Sequence, residues 1–216
     1  MILVIGNIKG GVGKTTLAVN IAISRSLNGK DVLLVDGDEQ NTAITFTDLR
    51  AEKIGTPGYT SVSLHGNAIR TQIRQLATKY DDIIIDVGGR DTGSLRASLT
   101  IADTFLIPVQ PRSFDIWAVD QVAELIKEAK EINNFNAMVI LNAADAQGKD
   151  NEEAREALLE IPYINVMNLT IGRRKSFPNA ASGGLSILEY KPKDVKAIDE
   201  LNILTSTLYS IKTISE

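Results

Sequence analysis

Short apolar runs alternate with amphipathic stretches along this chain, and the alternation predicts strands and helices in turn. Residues 2–5, 31–35, 82–86, 104–109 and 137–141 are nearly continuous apolar runs, the pattern of strands covered on both faces in a parallel sheet. Residues 59–64 alternate like a strand, and 163–170 read as a weaker one. Between them, 14–27 places Leu17, Ile21 and Leu27 on one side with Ala18 and Ala22 beside them, and Asn28-Gly29 ends that helix. Further helices are expected over 42–53, 67–78 and 92–101, and over a stretch with Val119, Val122, Ile126 and Ala129 on one face. Asp150-Asn151-Glu152-Glu153 has the spacing of a capping box for a helix through Leu159. A last helix over 193–211 packs through Ile198, Leu201, Leu204, Leu208 and Ile211. Strand, helix and strand in the first ~35 residues form a βαβ unit. With no repeat or low-complexity linker, residues 1–216 are expected to form one α/β domain, a mainly parallel β-sheet flanked by helices.

Composition narrows the chemistry. A chain of 216 residues, 44% hydrophobic and 23% charged, can bury one substantial core. It has no cysteine, which excludes disulfides and thiolate-bound metals and is compatible with a reducing cytosol. The chain enters a strand at once, without a basic leader, and no apolar run approaches the ~20 residues of a membrane span. A cytoplasmic protein with no membrane attachment is expected. The final stretch, 194–216, carries two lysines against four acidic residues, whereas a membrane-surface helix needs a basic polar face. A formal charge of −4 argues against nucleic acid as a partner of the whole surface, but a local cluster can override the total. His65 is the single histidine, has no triad partners nearby, and reads as a loop or packing residue.

The chemistry gathers where the first strand meets the first helix. Glycines there let backbone N–H groups curl around phosphate oxygens, the helix N-terminus adds its dipole, and Lys14 adds a full charge. Thr15 is then placed to ligate magnesium. The common phosphate-loop pattern asks for a glycine where this chain has Ile8. What stands instead, Lys9-Gly10-Gly11-Val12-Gly13-Lys14-Thr15, resembles the deviant Walker A motif of the ParA/MinD family of ATPases. The resemblance implies a P-loop NTPase fold. It also implies a nucleotide cradle of Gly10, Gly11, Val12, Gly13, Lys14, Thr15 and Thr16, and a Lys9 that reaches across a homodimer to the partner's nucleotide.

Three strand ends carry the remaining polar groups. Asp36-Gly37-Asp38-Glu39-Gln40 follows the second apolar run and resembles the family's D-x-D-P-Q signature, with Glu39 in place of proline. By that resemblance Asp38 positions the hydrolytic water and Asp36 helps hold the metal's water shell. Strand-end aspartates also serve as caps of a following helix. Asp86 ends the 82–86 run like a Walker B carboxylate, in the second shell of Mg2+. The next residues, Val87-Gly88-Gly89-Arg90-Asp91, replace the proline pair of many relatives and read either as a γ-phosphate switch or as a tight turn. Gln110-Pro111-Arg112-Ser113-Phe114-Asp115 resembles a segment of plasmid-partition ATPases. Pro111 is accordingly taken to contact nucleotide, Arg112 faces nucleotide, partner or solvent, and Trp117 is an interface or packing aromatic. Asn142 suits the N6 and N7 edge of adenine, and the absence of an N/T-K-x-D motif favours ATP over GTP.

Arg173-Arg174-Lys175, with Lys191, Lys193 and Lys196 downstream, is the one basic concentration in an acidic chain. It reads as a solvated loop or as a surface for DNA phosphates; the resemblance implies non-specific DNA binding in this part of the chain. The family further implies ATP and Mg2+ as ligands, slow hydrolysis stimulated by a ParB-like centromere-binding adaptor protein, and a nucleoid-associated location. Two other readings share the loop: an ATP-dependent ligase or synthetase of the cobyrinate or dethiobiotin type, and a positioning ATPase for a protein cargo.

Overall fold

The computed structural model describes residues 1–89, 92–146 and 149–210. Along them run β1 (Ile2–Gly6), α1 (Lys14–Leu27), β2 (Val32–Asp36), α2 (Thr42–Ile54), β3 (Thr60–Ser63), α3 (Asn67–Leu76), β4 (Asp82–Val87) and α4 (Thr92–Leu99). The second half continues with β5 (Thr104–Val109), α5 (Ser113–Lys130), β6 (Asn136–Ala144), α6 (Asp150–Leu159), β7 (Asn165–Gly172), α7 (Ser176–Ser182) and α8 (Val195–Ser210). The seven strands pair in parallel in the order β3-β2-β4-β1-β5-β6-β7.

Both faces of the sheet are covered, which is why its strands read as unbroken apolar runs. Val4, Val35, Ile85 and Ile107 pack on one face with Ile69 and Ile73 of α3, Leu95 of α4, Val122 of α5 and Leu158 of α6. Leu3, Ile5, Leu34, Ile84 and Leu106 face the other way, against Leu17 and Ile21 of α1, Phe46 of α2, Phe177 of α7 and Leu204 of α8. Successive residues of one strand supply the two cores, as the pleat requires. β1 lies at the centre between β4 and β5, where strand order reverses, and such a point opens a crevice at the strands' C-terminal ends.

The expected elements are present with modest changes. Residues 60–63 are a full member of the sheet, and the 137–141 run lies within its sixth strand. Leu27, expected on the packing side of α1, is 59% exposed. No capping box forms at α6: Lys149 is the N-cap, with no side-chain cap bond, and Asp150, Glu152 and Glu153 all lie in the first turn. Their charges there complement the helix dipole instead. The short helix α7 was not expected. Arg90, Asp91 and Ile211 lie outside the described residues. Among those described, no helix is long and apolar enough to cross a membrane.

Candidate functional site

The loop from β1 to α1 is held from three sides. Asn7, fully buried, donates through Nδ2 to the Pro108 carbonyl at 2.9 Å and accepts the Lys9 N–H on Oδ1 at 3.0 Å, tying the loop's start to β5. Three loop carbonyls then accept bonds from side chains. Lys14 Nζ reaches Lys9 O at 2.8 Å, Gln110 Nε2 reaches Gly11 O at 2.9 Å, and Asn142 Nδ2 reaches Val12 O at 2.7 Å. Gly13, with φ 90°, turns the chain into α1 in the left-handed region, where a β-carbon would also collide with Asn142 Nδ2. No side chain caps α1, so its first N–H groups remain for an anion.

Lys14 is buried beneath this loop, and burial lowers its pKa while Asp86 and Asp38 favour its charge. A cavity of about 900 Å3 opens above it, lined by Lys9, Lys14, Thr15, Asp38, Gln40 and Gly89 among others. Lys9 stands exposed on that lining. Its size and its floor of lysine and unbonded helix amides suit a polyphosphate.

The acidic wall comes from β2 and β4, whose last residues align with Asp36 beside Asp86. Asp36 is fully buried, and both its oxygens are engaged: Oδ1 accepts Asp38 N–H at 3.1 Å and Oδ2 accepts Ile44 N–H at 3.0 Å, in the first turn of α2. Burial raises its pKa against those bonds. The geometry thus makes Asp36 a remote cap of α2, the alternative its position had left open. Asp86 differs: it is 1% exposed, the Thr15 hydroxyl donates to it, and Oδ2 has no partner. Burial pushes its carboxyl up to about 7. An orphaned buried oxygen beside a threonine hydroxyl fits a hydrated magnesium ion brought in by a nucleotide. Among the described residues no three acidic or imidazole side chains gather to hold a metal unaided, which agrees with an ion shared with phosphate.

Gly88 and Gly89 close this wall against the loop. A β-carbon at Gly88 would lie 2.6 Å from the Asp38 carboxyl carbon, and one at Gly89 would lie 2.8 Å from Ile8 O. The pair in place of prolines therefore lets the β4 end touch both the Asp38 carboxylate and the phosphate loop.

On the other side of the loop a pocket of about 150 Å3 is lined by Val12, Gln110, Asn142, Ile171, Arg173 and Phe177, among others. Asn142 lines it; one N–H of its amide is given to Val12 O, which leaves Oδ1 and the second N–H as the groups able to meet a base. Pro111 does not line this pocket: it is buried away from it and lines a separate groove with Arg112, Trp117 and Asp150. Gln110, one residue earlier, takes the position, because the chain leaving β5 turns that side chain toward Gly11. Asn7 and Gln110 were missed; a polar residue between an apolar run and a glycine turn was the available signal for the first.

The three consecutive cations are not an open patch. Arg173 pairs with Asp145 at 3.0 Å at the rim of the small pocket, and Arg174 is held by Glu200 and, at 3.9 Å, by Asp194. Lys175 is exposed. His65 is exposed beside Ser63 Oγ, as a loop histidine.

Known proteins resemble this chain in sequence and in fold. Maintenance of carboxysome distribution protein A from Halothiobacillus neapolitanus is 27% identical over 202 residues, covering 93% of this chain and 92% of that protein. The sporulation initiation inhibitor protein Soj of Bacillus subtilis is 27% identical over 233 residues, covering 89% and 92%. The ATP complex of Cyanothece McdA superposes with a TM-score of 0.79 at 18% identity, covering 97% of this chain and 96% of that one. Residues 3–187 match the family CbiA, described as the CobQ/CobB/MinD/ParA nucleotide binding domain, and to this family the chain belongs.

Proposed function

We propose that this protein is a cytoplasmic, nucleoid-associated ATPase that positions cargo by cycling on and off DNA. Two copies close face to face on Mg–ATP, the dimer holds DNA without regard to sequence, and hydrolysis releases it. A ParB-like centromere-binding adaptor would stimulate hydrolysis and connect the cargo.

The observation that carries this reading is the division of labour between two lysines on one loop. Lys14 is buried at the cavity floor, where its charge faces the phosphates bound there. Lys9 is exposed on the lining, where a nucleotide held by a second copy gives it a target. The loop amides and Lys14 bind the phosphates; the Thr15 hydroxyl and Asp86 would hold magnesium. When bound, that ion supplies charge neutralisation on the β- and γ-phosphate oxygens. Asp38 orients the attacking water, and Gly88-Gly89 register the presence of the γ-phosphate by their close approach to Asp38 and Ile8. A second reading, in which the cargo is a protein assembly rather than DNA, is favoured by the likeness to a carboxysome distribution protein along almost the full chain. It changes the adaptor, not the cycle.

The test is solution mass and binding to random-sequence duplex DNA without nucleotide, with ADP and with a non-hydrolysable ATP analogue. A doubled mass and DNA binding confined to the analogue are expected; neither in any state would overturn the reading. Asp38→Ala should still dimerise on ATP yet lose turnover by about 100-fold, the scale on which a positioning group acts. Normal turnover in that variant would remove Asp38 from its role.

A further inference from the structure

The exposed face of α3 is unlike the rest of this acidic molecule. Ile69 and Ile73 anchor the helix in the core, while Asn67, Arg70, Thr71, Arg74 and Gln75 stand outward and line a depression of about 560 Å3. Arg70 and Arg74 are one turn apart, on the same side of the helix. Neither α3 nor α4, which packs against it, contains an acidic residue. Among the described residues neither arginine forms an ion pair, whereas Arg25, Arg50, Arg96, Arg173 and Arg174 each hold a carboxylate. Two of the three cations of the Arg173–Lys175 stretch are thus paired with carboxylates, whereas both arginines of α3 present their charge on one helix face.

We propose that the phosphate backbone of duplex DNA docks on this face of α3 through Arg70 and Arg74, with Asn67, Thr71 and Gln75 adding hydrogen bonds. The proposal rests on the DNA-bound dimer put forward above and names its contact surface. The donors suit phosphate: guanidinium, amide and hydroxyl groups satisfy its oxygens in any sequence. A protein partner would need an aromatic or aliphatic anchor at the centre of its footprint, and this lining has none.

The same face is wired to the nucleotide. α4 begins just beyond the Gly88-Gly89 loop, and its Ser94 hydroxyl accepts the Gly66 N–H at 2.8 Å, at the N-terminus of α3. The Leu95 side chain lies 3.0 Å from where a β-carbon of Gly6 would be, so α4 also rests on the end of β1. A shift of the Gly88-Gly89 loop on loss of the γ-phosphate moves α4, and α4 carries the start of α3 with it. DNA affinity then follows nucleotide state without any DNA contact by the nucleotide pocket.

Fluorescence anisotropy of the full chain on random-sequence duplex DNA, with the ATP analogue and across a salt series, tests this. Arg70→Glu with Arg74→Glu should weaken binding by about tenfold or more and reduce the slope of log K against log salt by about two. Affinity for the ATP analogue and the dimer mass should not change, which also reports that the variant is folded. Arg70→Lys with Arg74→Lys should keep most of the affinity, since phosphate contacts need charge rather than a fork. DNA binding by the glutamate variant with the parent's affinity and slope would overturn the α3 surface while leaving the DNA-bound dimer standing. No DNA binding by the parent in any nucleotide state would overturn both, and that result is read on the parent alone.

Discussion

At Gly88 the nearest neighbour of an added methyl group would be the Asp38 carboxyl, with its carbon and one oxygen both at 2.6 Å. Gly88→Ala should therefore push Asp38 aside and slow hydrolysis by about tenfold or more, while nucleotide affinity, set by Lys14 and the loop amides, stays within about twofold. Single-turnover hydrolysis beside an equilibrium titration checks the split; unchanged turnover would show that the loop yields instead. The amino-acid sequence flags this glycine pair as a departure from proline but cannot say what approaches it, because Asp38 and Ile8 arrive from other strands. Asn7 and Gln110 were hidden for the same reason, since each acts on a partner about a hundred residues away. Lys14, Thr15 and Asp86 were legible because charge and register alone place them. Of the segment after β5 it is Gln110, not Pro111, that lines the pocket with Asn142, because a side chain's direction there depends on how the strand ends.

Elements were legible where burial sets their pattern. The central strands show no alternation because helices cover both faces, and α5 and α8 show their stripes because one face is wet. α7 escaped notice because Ser176-Phe177-Pro178-Asn179 offers a single buried aromatic and a proline. α2 has a further support that no local pattern reveals. Asp36 caps its first turn, and near its C-terminal end Arg50, 4% exposed, meets both Glu189 oxygens at 2.7 and 2.8 Å and the Gly184 carbonyl at 2.9 Å. Burial pushes the Glu189 carboxyl up, but Arg50 and the Ser186 N–H outweigh it and hold it below the usual range. A depressed carboxylate stabilises the fold above its ordinary pKa and ceases to do so as pH falls through the folded value. Glu189→Gln should thus cost about 2 kcal/mol at pH 7 and flatten the acid side of the stability profile. Urea denaturation at pH 7 and near pH 4 reads both; a loss equal at the two pH values would refute the charge argument.

For the molecule as a whole, the reversal of strand order beside β1 decides where the phosphate loop can stand, and the dimer proposed above rests on the exposed Lys9 of that loop. Lys9→Ala should bind the ATP analogue with little change yet remain at the mass of one chain, whereas a doubled mass in light scattering would assign dimerisation to other contacts. The phosphate loop itself has its Lys9, Gly11 and Val12 carbonyls anchored to α1, to the end of β5 and to β6. A cradle anchored at so many points keeps its shape whether a di- or a triphosphate occupies it, so little entropy is lost on filling it and little discrimination arises there. On the cycle proposed above, telling ATP from ADP falls instead to the glycine pair after β4, and the memory of which nucleotide is present would reside in that short length of backbone, set against Asp38 and Ile8.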